Sequence, residues 1–298
     1  MTTTPTDLTT QAGEGTGAPI VRRRPWRRLF RSVSGVIGVV LSGLLLLLAL
    51  MAWLHLTPYD PLAQNAPQRL RPPSAQHLLG TDQFGRDVFS RVAAGLGNSV
   101  RIALLAVALS AAVGTLAGLV GGYFRKGADT VLGGVANVLF AFPPLLLALT
   151  LASVLTRNWV TVAIAIAVVY VPIFYRVTRG PVLSLREVEF VRAAVSTGQN
   201  PWAVMFRHVL PNITGLVIVQ VALSLSWAVL TEASLSFLGL GTPPPAPSLG
   251  SMIFEANSTV YVAPWTMVAP GVLVVLLVSA LNLLGDGLRD VLDPREAR

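Results

Sequence analysis

Six stretches of the chain, 32–56, 102–124, 130–155, 159–175, 213–231 and 263–285, carry no charge or almost none. A helix needs about 20 apolar residues to cross the hydrocarbon layer of a bilayer, and most of these stretches reach that length. The shortest, 159–175, sits near the lower limit. Inside lipid, every backbone donor and acceptor must be satisfied within its own segment, which selects helices over open strands. The pattern predicts an all-α, polytopic membrane protein with six transmembrane helices. Composition agrees, because 53% hydrophobic and only 12% charged residues exclude an ordinary soluble domain.

The first apolar stretch follows Arg22-Arg23-Arg24 and Arg27-Arg28, a basic start that a secretory signal peptide would share. Its apolar part is too long for that, and Ala52-Trp53-Leu54-His55 offers no small-x-small cleavage site. The expectation is an uncleaved first span behind a basic cytoplasmic tail, 1–31, whose Thr-, Gly- and Pro-rich beginning predicts disorder. With six spans both termini are expected in the cytoplasm. The loops then assigned inside hold Arg125, Lys126, Arg176, Arg179, Arg186, Arg192 and Arg207, and those outside hold fewer basic residues. The net charge of +8 thus reflects membrane topology, and no nucleic-acid partner is inferred.

Polar interval 184–212 interrupts this apolar sequence and predicts a helix-turn-helix. Ser184 with Glu187 forms a capping-box pattern, Gly198 suits a left-handed turn, Asn200-Pro201 supplies an N-cap and first helical residue, and Pro211 predicts a stop. In order and spacing, Arg192-Ala193-Ala194, Gly198 and Val209-Leu210-Pro211 resemble the coupling loop of ABC-importer permeases. The resemblance implies contact between a motor subunit and Glu187, Glu189, Arg192, Ala193, Ala194, Gly198, Pro201, Leu210 and Pro211. Arg192 stands where that motif usually has glutamate, so a differently charged motor groove is expected, unless Glu187 or Glu189 supplies the carboxylate.

Several prolines in the external segment after the first span argue against regular structure there until Gly80. Asp82, Asp87 and His77 lack a recognisable metal-ligand spacing, and no metal site is assigned. Thr81 or Asp82 is expected to cap a short helix leading into the second span. The segment HLLGTDQFGRDVFSR, which includes Asp82, Arg86 and Asp87, resembles the second permease subunit of dipeptide, oligopeptide and nickel importers. EASLSFLGLG and NLLGDGLRDVLDPR resemble the same family, so the likeness extends from about His77 to Arg295.

Gly114, Gly118 and Gly122 form a small-residue stripe on which another helix, of this chain or a partner, can pack closely. Pro143-Pro144 and Pro172 predict kinks. Glu232 is either a polar contact on the transport route or outer gate, or is satisfied by bonding near Ser234 or Ser236. The resulting division is a tail at 1–31, the first span and external segment at 32–97, and a five-helix permease core at 98–298.

A phosphate-cradling loop is absent, since the only lysine, Lys126, lies outside such a motif. No Ser-His-Asp order or His-Glu-x-x-His pair occurs, and there is no cysteine, so catalysis is not assigned to this chain. Isolated Asn137, Gln220 and Asn282 are the main polar residues at mid-membrane, a poor basis for ion-coupled secondary transport. The resemblance implies a prokaryotic cell-membrane importer built from a heterodimer of related permeases, two cytoplasmic ATPase domains using ATP and Mg2+, and an external substrate-binding protein. Its implied cargo is a dipeptide or oligopeptide, with nickel or another small solute as the alternative.

Overall fold

The computed structural model describes residues 32–292, so the expectations for tail 1–31 and for Arg295 lie outside the described residues. Helix α1, Val33–Trp53, is capped by Ser32, whose hydroxyl accepts from the Gly35 amide at 3.1 Å. Helix α2, Val88–Phe124, has 37 residues and starts well before the predicted 102. At 1.5 Å per residue it is about 55 Å long and overreaches a bilayer at one end or both. Its cap is Asp87, not Thr81 or Asp82, and the Asp87 carboxylate accepts from the Ser90 amide at 2.8 Å. The sequence-based boundary at residue 97 therefore falls inside a continuous helix.

The third apolar stretch is two helices rather than one straight span. Helix α3, Lys126–Ala141, and helix α4, Pro144–Val154, meet at 95°. A residue before proline is pushed out of the helical region, and Phe142 and Pro143 accordingly have ψ of 140° and 128°. Helix α5, Trp159–Leu185, continues through both Pro172 and Pro181. It is followed by α6, Glu189–Ser196, and α7, Pro201–Val204. A π-helical turn at Met205–Val209 joins α7 to α8, Leu210–Phe237; α9, Leu249–Ala256, and α10, Trp265–Leu292, complete the described chain. Five helical stretches are long and apolar enough to cross a membrane, and six spans result if the bent α3–α4 pair counts as one.

The glycine stripe explains how α2 and α5 run in close contact. A Cβ on Gly114 would lie 2.5 Å from the Phe174 Cβ and the Val171 carbonyl oxygen, and one on Gly118 would lie 2.7 Å from Thr178 and the Tyr175 carbonyl. One on Gly122 would lie 2.8 Å from Val182. The stripe is thus used within this chain, and a main core of Val107, Ile166, Phe174 and Leu277 grows around that contact. A second, smaller core lies where α2 ends.

Candidate coupling element and transport cavity

The second core fixes the segment between α5 and α8. Val191 and Ala194 of α6, with Val204, Met205, Val209 and Ile213, bury against Leu119, Tyr123 and Val182. Gly198 between the two short helices has φ +76°, and its amide closes the α6 end by donating to the Val195 carbonyl at 3.0 Å. Asn200 caps the next helix, its side chain accepting from the Trp202 amide at 2.9 Å with Pro201 in the first turn.

Two local expectations are corrected. Ser184 lies inside the last turn of α5, and α6 starts behind Val188 without a side-chain cap, so no Ser184–Glu187 box forms. Glu187 instead accepts from Arg125 at 2.8 Å. Pro211 does not stop a helix. The π-turn places the Leu210 amide on the Met205 carbonyl, and Pro211, which lacks a donor, falls in the first turn of α8.

The outward face of this element is unlike its buried one. Glu187, Glu189, Arg192, Ala193, Pro201 and Pro211 are exposed, as are Phe190, Val195, Trp202 and Phe206, whereas Ala194 is buried and Leu210 half-buried. The Trp202 ring stacks on Phe206 and meets Phe124 edge-on, each at 6.2 Å between centroids. Exposed Phe190 and Val195 share α6 with Glu189 and Arg192, so this element presents apolar and charged side chains together.

The opposite end of α2 is arranged differently. Asp82 is held by the amides of Phe84 and Arg86 at 2.8 and 3.0 Å and pairs with the Arg86 Nε at 2.6 Å. Arg86 and Arg91 both reach Glu255 of α9, at 2.7 and 3.1 Å, and Arg91 is 1% exposed. Asp87 also contacts His77 Nδ1 at 2.8 Å and accepts from the Ser90 hydroxyl at 2.8 Å. Asp82, Asp87 and His77 are therefore all engaged by protein partners. The sequence reading missed Glu255 and the part played by Arg91; the i,i+4 spacing of Asp82 with Arg86 was the available signal, and it disclosed that pair alone.

Between these ends, a cavity of about 550 Å³ lies where α3, α4, α5 and α8 meet. Phe140, Phe142, Tyr170, Gln220, Trp227 and Thr231 are among its lining residues. Glu232 is not among them; it is fully buried, its carboxylate accepting from Ser99 of α2 and from Ser236, each at 2.6 Å. Asp129 of α3 was also missed. It pairs with Arg179 at 2.5 Å and accepts from the Tyr175 hydroxyl at 2.7 Å. Its sequence signal was its isolation as the only acidic residue between Asp87 and Glu187.

A bundle of membrane-length helices enclosing a cavity, with a folded polar element at one end, is the architecture of a multi-pass membrane protein. Residues 114–298 match the family described as the binding-protein-dependent transport system inner membrane component, and the chain belongs to that family. Residues 22–73 match the N-terminal TM domain of oligopeptide transport permease C. The glutathione transport system permease protein GsiD of Pectobacterium atrosepticum is 39% identical over 285 residues, covering 93% of this chain and 95% of its own. The dipeptide transport system permease protein DppC of Alkalihalophilus pseudofirmus is 38% identical over 275 residues, covering 91% and 90%. A solved structure of the MetNI methionine ABC transporter is similar in fold, with a TM-score of 0.54 at 18% identity over 66% of this chain and 94% of the other.

Proposed function

We propose that this chain is one permease of an ATP-driven importer, forming with a second, related permease the path for dipeptides or oligopeptides handed over by an external binding protein. The observation that carries this reading is the coupling element: one face of α6 and α7 is locked into the second core, and the other presents Phe190, Arg192, Val195 and Trp202. A rigidly mounted patch of this kind suits docking to a soluble motor, because a mobile loop would dissipate the motor's movement. The motor's contact energy must differ between its nucleotide states, since equal docking in both would shift no equilibrium. ATP and Mg2+ belong to two cytoplasmic ATPase domains in this reading. The coupling end and both termini then face the cytoplasm of a prokaryotic cell.

Peptide cargo is supported by relatives named for dipeptide and glutathione transport. The lining of the cavity, mainly apolar with amide and hydroxyl groups from Gln220, Ser224 and Thr231, suits a molecule carrying backbone amides. Exposed Leu216, Trp227 and Leu230, which share one side of α8, form the face assigned to the second permease. Glu232 serves as a clasp between α8 and α2 rather than as a wall of the path, and Asp82, Arg86 and Asp87 fix the outer cap. The test is uptake by vesicles reconstituted with this chain, its companion permease, the ATPases and the binding protein. ATP-dependent accumulation of radiolabelled dialanine or glutathione is expected; accumulation that follows an ion gradient without ATP refutes the reading.

A further inference from the structure

Helix α3 is attached to the bundle in an unusual way. Ala136 is its only buried residue, and Val131, Val135 and Val138 are exposed. Polar contacts to α5 hold it instead. The Asp129 carboxylate takes both the Nε and Nη2 of Arg179, at 2.5 and 2.6 Å, together with the Tyr175 hydroxyl. Further along, Arg176 donates to Asn137 at 3.1 Å and lies 3.8 Å over the Phe140 ring. A helix seated in an apolar core has many small contacts to lose, whereas one held by a carboxylate clasp and one further arginine has a few discrete attachments.

Both ends of α3 are placed to transmit movement. At its start, Arg125 and Lys126 have φ of +53° and +41°, a region non-glycine residues occupy only where their surroundings hold them. Arg125 reaches Glu187 and the Leu183 carbonyl, and Arg186 returns a bond to the Tyr123 carbonyl at 2.6 Å. The strained junction is thereby tied to the segment that leads into α6. At its other end, Leu139, Phe140 and Phe142 line the cavity beside the 95° corner with α4. Helix α3 covers the interval of about 24 Å between them.

We propose that α3 is a latched lever. Asp129 holds it on Arg179 and Tyr175 in the conformation described. Release, driven from Glu187 through Arg125, swings the Lys126 end of α3 about the Phe142-Pro143 corner and turns Phe140 away from the cavity wall. Asp129 is a positioning residue for transport, and its role there rests on the importer reading above. The competing explanation is a permanent staple between α3 and α5.

The chain has no cysteine, and a Cβ added at Gly134 of α3 or Gly180 of α5 would meet nothing within 4 Å, so both positions accept spin labels. In nanodiscs, full-length G134C/G180C protein should give one narrow distance distribution, and adding Asp129→Asn should create a second, displaced population. In the complete complex, ATP should create that population without the substitution. Asp129→Asn should also lower glutathione uptake per ATP hydrolysed by about tenfold, with recovery in Asp129→Glu. An unchanged distance distribution in Asp129→Asn overturns the proposal, as does a parallel fall of uptake, hydrolysis and folded protein. A displaced population in nanodiscs, with no ATP-driven uptake by the unsubstituted complex, supports the latch and removes the importer reading.

Discussion

The two ends of α2 treat charge in opposite ways. At its start, Asp82, Arg86 and Arg91 are buried and pair with one another and with Glu255. Past its end, the Arg125–Glu187 pair is well exposed, and so are Trp202, Phe206 and Phe190 of the following segment. Buried ions without partners are severely destabilising, so a cluster like the first must be completed within the folded chain. Exposed rings around a charged patch mark a surface completed by another molecule. The charges at the start of α2 find their partners within this chain, whereas the exposed rings past its end are the surface proposed above for the motor.

The largest expected effect falls at the start of α2. Asp82→Ala strips both buried arginines of a carboxylate and should cost about 3–5 kcal/mol in unfolding free energy, measured in mild detergent. A loss no greater than that of a surface substitution would break the contrast between the ends. Gly118→Val, in the last third of α2, forces a side chain against the Tyr175 backbone carbonyl and should cost about 1–3 kcal/mol in the same assay. At the coupling end, Gly198→Val should cost about 1–2 kcal/mol from the positive φ alone, since nothing crowds that site.

Trp202→Ala should barely change the unfolding midpoint but weaken co-purification with the ATPase subunits by about tenfold. Undiminished capture would move the docking surface elsewhere. Glu187→Ala removes an exposed pair and should change stability by only about 0–1 kcal/mol. The ratio of the Asp82 to the Glu187 effect sharpens the comparison more than either value does.

Legibility in the sequence follows the range of the interaction. Gly198 and Asn200-Pro201 act through their own backbone, and their roles could be read directly. The apolar stretches disclosed the spans, and Pro143-Pro144 disclosed a break, though its 95° angle depends on what α3 and α4 pack against. Ser184 and Glu187 match a capping pattern, yet Thr178 and Val182 bury against the stripe on α2 and carry α5 past that point. Tertiary packing overrode a local signal there. Pro211 was misread because a π-turn absorbs it. Pairing of Arg91 with Glu255 spans 164 residues, and neither residue's neighbours announce the other. Glu232 was open between a route contact and local bonding near Ser234 or Ser236 because a carboxylate in a membrane helix demands partners; the Ser236 bond is the local one, whereas Ser99, the partner on another helix, was visible only in the fold.

Amide hydrogen exchange on the chain in nanodiscs, alone and then with its ATPase subunits bound, tests the difference between the ends most directly. The unequal-ends view predicts new protection across 188–209 and no change across 57–87. Protection gained at 57–87, or none at 188–209, would contradict it.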